Sequence, residues 1–256
     1  MKFRPCIDLH EGQVKQIVGS TLSDTARGLS TNFASEKPSS VYAEMYRQDG
    51  LTGGHIIKLG PGCDQAAAEA MAAYPGGMQL GGGITADNAA AWLDQGASHV
   101  IVTSYVFQDG RVLEHRLKEL EAKVGRERLV LDLSCRKRGD SYYIVTDRWQ
   151  KFTEMVIRPD TLAYFADFCV EFLIHAVDVE GKCAGIAEDL VVDLGAWTPI
   201  PTTYAGGVKN LEDLYRVRTL GQGRLDVTVG SALDIFGGHG ITYQDAVKFN
   251  REQAEL

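Results

Sequence analysis

Two short apolar runs each finish on hydrophobic-Asp-Leu: "RPCIDLHEG" at residues 4–12 and "RLVLDLSCR" at residues 128–136. Their carboxylates, Asp8 and Asp132, lie 124 residues apart. A carboxylate at the end of a buried strand gives up hydration, so it needs a task or a partner. Two carboxylates flanking one sugar-phosphate carbon suit general acid–base chemistry, with one ionised and the other kept protonated by its surroundings. Either aspartate alone could instead cap a loop.

The same interval governs two glycine stretches. "GGGITADN" begins at Gly81 and "AGGVKNLED" at Ala205, so that Gly82 and Gly83 correspond to Gly206 and Gly207. Each stretch runs from an apolar segment into a helix-like one. Each is followed one apolar segment later by a serine, Ser104 in "IVTSYVF" and Ser231 in "TVGSALDIF". Glycine lets backbone N–H groups approach an anion closely, and a following helix start adds its positive end. These glycines could simply make tight turns. Two at matching positions, each with its serine, point to two phosphate sites: Gly82, Gly83, Thr103 and Ser104 on one rim, Gly206, Gly207 and "VGSALDIFGG" on the other. Neither stretch has the spacing of a nucleotide-triphosphate P-loop.

Elements must bring these residues together. Eight apolar runs end near Asp8, Gly60, Gly83, Ser104, Ser134, Val177, Gly207 and Ser231, with helix-like stretches such as "SSVYAEMYRQDG" between them. Alternating strands and helices imply parallel strands joined by crossovers. The expected fold is an α/β (βα)8 TIM barrel, a single domain over 1–256 built from two similar halves, 1–124 and 125–256. Its active site falls at the C-terminal ends of the strands, where every residue named above lies. His175 ends the sixth strand facing the mouth, as a site or a core residue. Trp149, in "DRWQ", is placed in a long polar loop, where it either stacks on a planar ligand or packs the loop down. The segment 18–37, rich in Ser, Thr and Gly, is expected to be a mobile lid.

Composition excludes other classes. The formal charge of −8 and the lack of a basic run argue against nucleic-acid binding. No apolar run approaches the ~20 residues that cross a bilayer, and the first residues do not read as a signal or transit peptide. Five cysteines without a C-x-x-C pair suit reduced thiols in the cytoplasm, and Cys6 and Cys135 read as packing residues. Six histidines show no clustered ligand spacing, so no metal is expected. The expected partner is a small molecule with two phosphates, bound by a monomer.

Six ordered motifs carry a resemblance: "PCIDLHEGQVKQIVG", "QLGGGI", "VLDLSCRK", "FLIHAVDVEGKCAGI", "YAGGVKNLEDL" and "VGSALDIFGG". Together they resemble the ProFAR isomerase family of histidine biosynthesis, in the form usual in eukaryotes. The resemblance implies an Amadori rearrangement of a bisphosphorylated ribosyl amine to a ribulosyl ketose, without cofactor. It implies that Asp8 is the general base and Asp132 the general acid. It implies that Gly82, Gly83, Thr103 and Ser104 form one phosphate cradle and Gly206, Gly207, Gly230 and Ser231 the other, with Trp149 stacking on the imidazole. The chain departs from the common bacterial pattern. His175 stands where that pattern has Thr, Glu180-Gly181 where it has Asp-Gly, and Lys58 and Gly60 where carboxylates are common. Glu180 therefore rivals Asp132 as the acid.

Three competing readings differ at named positions. The sister cyclase barrel has a catalytic Lys eight residues after the first Asp. Here that position is Gln16, and Lys15 would face the other side of a strand. An isomerase acting also on phosphoribosylanthranilate would use the same residues. A silent sugar-phosphate sensor could lose the carboxylates, yet both are present.

Overall fold

The apolar runs are only three to five residues long, and several are buried on both faces, including Met78–Gly81, Val100–Val102, Leu129–Asp132, Glu171–His175 and Thr202–Ala205. Such strands need cover from both sides, which is the situation of a parallel sheet layered with helices. The computed structural model describes residues 1–18, 30–147 and 149–254. It shows an α/β fold with a curled parallel sheet. Cys6–His10 pairs with Gly54–Lys58, and the series continues through Met78–Gly81, Val100–Val102, Leu129–Asp132, Glu171–His175 and Thr202–Ala205 to Leu225–Thr228, every step parallel. Leu225–Thr228 also pairs in parallel with Phe3–Arg4. Pro5 divides Phe3–Arg4 from Cys6–His10, as a residue without a backbone N–H can. The expected strands are all present, and helices follow them.

Alternation along the strands sorts side chains into layers. At the N-terminal ends, Gln79 Nε2 and Thr203 Oγ1 each donate to the Glu171 carboxylate at 3.0 Å, and the Arg4 guanidinium contacts both Glu171 and Asp226. Two residues further along, Ile101, Val130, Leu173 and Ala205 pack with Ile57 into a small apolar layer. One further step brings Asp132 and His175 to the C-terminal ends. The larger apolar cluster includes helix residues such as Ala43, Tyr46, Leu117, Leu162, Leu190 and Leu214.

Two of the excursions from the strand ends bear on the site. After Cys6–His10 the chain turns back as Gln13–Ile17, which pairs antiparallel with Thr31–Ala34. Part of the segment expected to be a lid is thus a strand. Residues 19–29, the greater share of that segment, lie outside the described residues. After Leu129–Asp132 the region read as a long polar loop is a three-stranded antiparallel sheet, Cys135–Arg138, Ser141–Thr146 and Lys151–Val156. Exposed charges such as Arg138 and Lys151 masked the alternation of "SYYIVT" and "KFTEMV" around its turn.

The polar cluster at the N-terminal ends gives a stability prediction. Glu171→Ala leaves the Gln79 and Thr203 donors without their acceptor, while Arg4 keeps Asp226 at 2.7 Å, so it should cost roughly 2 kcal/mol. Urea unfolding checks this, and a loss under about 1 kcal/mol would show that the cluster is not held by Glu171.

Candidate active site

The strand ends open onto two clefts. The roomier, about 650 Å³, is lined by Gly82, Gly83, Thr103, Ser104, Asp132 and Trp149, with Lys58 and Thr85 among others. The tighter, about 20 Å³, is lined by Asp8, His175, Glu180, Gly206, Gly207, Gly230 and Ser231, with Cys6, His55 and Thr228 beneath. Every residue singled out in the sequence for the site therefore lines one cleft or the other. Asp132 and His175 link the two clefts, with Asp132 Oδ1 and His175 Nδ1 3.9 Å apart.

The two glycine stretches behave as a matched pair. Gly82 has φ +92°, and a Cβ there would sit 2.1 Å from the Lys58 carbonyl oxygen at the end of the preceding strand. Gly206 has φ +119°, and its Cβ would meet the Ala176 carbonyl oxygen at 2.8 Å, again just past the preceding strand. Only glycine fits both the conformation and the approach. Asn210 then caps helix Leu211–Leu220, its side chain accepting from the Asp213 N–H at 3.1 Å. The matched serines are also alike. Ser104 Oγ accepts from the Asp147 N–H at 3.0 Å, and Ser231 Oγ accepts from Asn32 Nδ2 at 3.1 Å. Each serine is thus tied to the excursion that follows the first or fifth strand.

Of the two readings of Trp149, packing is the one seen in the structure. It is partly buried, in the turn between Ser141–Thr146 and Lys151–Val156, with φ +64°. Its ring centroid lies 5.5 Å from that of His175, so it packs over the site instead of standing free.

The electrostatics divide the carboxylates in a way the sequence did not show. Burial pushes the Asp8 carboxyl up to about 7, and the nearby Glu180 adds to this, while His175 and a hydrogen bond from Gln16 hold it back. Burial also raises Glu180, against the opposing pull of His175 and the Gly181 N–H. Asp132 is the reverse. Burial pushes it up, but His175 and both the hydroxyl and N–H of Ser134 outweigh that and hold it below the ordinary carboxylate range. This direction runs against the expectation that Asp132 is the protonated carboxylate. Three donors converge on it: the Ser134 hydroxyl, the Ser134 N–H at 2.8 Å and, longer, Thr103 Oγ1 at 3.4 Å. A carboxylate so solvated by donors keeps its charge.

Gln16, Ser134 and Asn32 were not picked out as site residues. Gln16 Nε2 donates to Asp8 Oδ2 at 3.1 Å, and its Oε1 faces Ser231 and Gly230. Lys15 points elsewhere, to Glu11 at 2.6 Å, as the side-alternation argument required. The Ser134 signal was present as Asp-x-Ser after a strand, since an aspartate often accepts from the N–H two residues on. Asn32 gave no such signal. Cys6 and Cys135 are buried with thiols pushed up by desolvation, which agrees with packing roles. Among the described residues no group of three or more His, Cys, Asp or Glu could hold a metal ion.

Parallel strand ends that carry Asp8, Asp132 and His175 between two matched glycine–serine turns define the site of an α/β protein. The chain belongs to the histidine biosynthesis protein family, whose model matches residues 2–239. It is 55% identical to the 1-(5-phosphoribosyl)-5-((5-phosphoribosylamino)methylideneamino) imidazole-4-carboxamide isomerase of Medicago truncatula, named as chloroplastic, over 99% of this chain and 83% of that protein. It is 49% identical to the isomerase of the same name from Yarrowia lipolytica, over 98% of both chains. The like-named protein of Saccharomyces cerevisiae is 46% identical over 98% of this chain and 99% of its own length.

The Gln16 contact yields a prediction. Its N–H stabilises the ionised form of Asp8, so Gln16→Met should move the Asp8 midpoint upward, and Gln16→Lys should move it downward. ¹³C-carboxyl titration by NMR reads both, and a midpoint unchanged in the two variants would remove Gln16 from the site.

Proposed function

We propose that this chain is an aldose–ketose isomerase that converts ProFAR to its ribulosyl ketose by an Amadori rearrangement in histidine biosynthesis. The observation that carries the reading is the pairing of two matched cradles across one mouth that holds the acid–base groups. The relatives' names specify a substrate with two phosphoribosyl groups, and two cradles suit two phosphates. Identity of 55% over 99% of the chain supports the same reaction.

Asp8 takes the C2 proton of the ribosyl amine, and the proton for the ring oxygen comes from the Asp132 side of the mouth. Gly82, Gly83, Thr103 and Ser104 hold one phosphate, and Gly206, Gly207, Gly230 and Ser231 hold the other. Trp149 stacks on the imidazole once the ligand enters. Gln16 in place of a lysine beside Asp8 disfavours the cyclase reading. The eight parallel strands are read as a closed (βα)8 barrel formed by halves 1–124 and 125–256. That reading is supported by the pairing of Phe3–Arg4 with the last strand and of Cys6–His10 with the second. The protein is read as a monomer of a reducing compartment, the cytoplasm. Five free cysteines suit such a compartment, while the Medicago relative is named for the chloroplast. Among the described residues no helix is long and apolar enough to cross a membrane.

Purified protein given ProFAR alone, with neither ammonia nor a partner protein, should form the ketose. No turnover would refute the reading. EDTA treatment should leave the rate unchanged, and a large loss restored by Mg²⁺ or Zn²⁺ would refute the metal-free mechanism. Asp8→Asn should lower kcat roughly 10²–10⁴-fold. Because the base works ionised, the acidic limb of the wild-type kcat/KM profile should climb as pH rises toward about 7, the Asp8 value.

A further inference from the structure

Ring opening needs a proton donor, and the geometry around His175 fixes where a proton sits. Ser134 has one hydroxyl hydrogen, and that hydroxyl donates to Asp132 Oδ1. Ser134 Oγ also lies 3.1 Å from His175 Nδ1. With its hydrogen already committed, Ser134 Oγ can only accept there, so Nδ1 carries a hydrogen. The exchangeable position of the ring is then Nε2. His175 lines the tight cleft with Asp8 and Glu180 and is 8% exposed. Its ring is held between Trp149 at 5.5 Å and His55 at 5.9 Å.

We propose that His175 is the general acid of the isomerisation, giving its Nε2 proton to the ribose ring oxygen, and that Asp132 is a positioning residue acting on it through Ser134. This rests on the isomerase reading. The C1–O ring bond breaks, its electron pair stays on oxygen, and that oxygen takes the Nε2 proton. The amine lone pair forms C1=N at the same time. Asp8 then removes the C2 proton, and the electrons form C1=C2 while the C=N pair returns to nitrogen. Ketonisation closes the cycle: Asp8 delivers its proton to C1, and neutral His175 recovers one from the enol hydroxyl.

Every charged neighbour favours this state. Burial alone would lower His175, but Asp132, Glu180 and Asp8 together push it up to about 8. His55 packs against it and is neutral, since burial lowers His55 to about 3. It therefore adds no competing charge. Glu180 also holds a raised pKa, but it stands in a turn beyond the strand, where its hydrogen bond is from the Gly181 N–H. His175 ends a strand with its tautomer and plane both fixed, the better platform for a directed proton transfer.

The test compares kcat/KM profiles of wild type, His175→Gln and Glu180→Gln on ProFAR. The wild type should show an alkaline limb near pH 8 that His175→Gln lacks and Glu180→Gln keeps. In His175→Gln, kcat should fall roughly 10²–10⁴-fold with KM little changed. Added imidazole should restore part of the rate of His175→Ala. Turnover by the wild type with an alkaline limb retained in His175→Gln, or abolished in Glu180→Gln, overturns the assignment alone. Absence of wild-type turnover overturns the isomerase reading with it. If the His175 variants fail to fold, ¹⁵N spectra of the wild-type ring decide. Loss of the proton from Nε2 on raising the pH supports the assignment, and loss from Nδ1 overturns it.

Discussion

Strands buried on both faces can place a charged side chain only at their ends, and this constraint shapes the whole molecule. Along Glu171–His175, alternation puts Glu171, Leu173 and His175 on one face in sequence. The polar ends are satisfied separately. Below, Glu171 is met by Gln79, Thr203 and Arg4; above, His175 is met by Ser134 and Asp132. The apolar layer between them keeps the two polar clusters apart. Parallel strands then bring the upper ends of different strands to one mouth, and the chemistry is assembled from residues far apart in the chain.

The mouth is organised by where protons are held. Asp132 is surrounded by donors and stays charged, which supports a protonated imidazole next to it. Among the described residues Asp8 has one side-chain donor, Gln16, and burial together with the nearby Glu180 pushes its carboxyl up to about 7. A base with such a value can accept a proton from carbon and release it again within one cycle. In the proposed reaction the glycine–serine turns on either side would hold the two phosphates and so restrict how the ligand presents its central carbons to these groups.

Much of this was legible in the sequence, and what was missed has physical causes. Strand runs, helix stops and the 124-residue correspondence between Gly82 and Gly206 are local patterns. So is the placement of Asp8 and Asp132 at strand ends. The antiparallel sheet carrying Trp149 is hard to read from the chain because exposed charges such as Arg138 and Lys151 cluster around its turns and strand ends and resemble a polar loop. The charge on Asp132 is not legible along the chain because it depends on the Ser134 donors and on His175, a neighbour from another strand. The roles of Gln16 and Asn32 depend likewise on contacts across the fold, with Asp8 and with Ser231, which no spacing along the chain reveals.

The central claim is that the two aspartates divide the work by charge, Asp132 fixed as an anion and Asp8 poised to accept. Side-chain-specific ¹³C titration of the wild-type protein measures both in one experiment. The account predicts that the Asp132 signal stays at its ionised position from neutral pH down past the ordinary carboxylate range, while Asp8 changes near pH 7. A spectrum in which Asp132 takes up a proton at higher pH than Asp8 would contradict it.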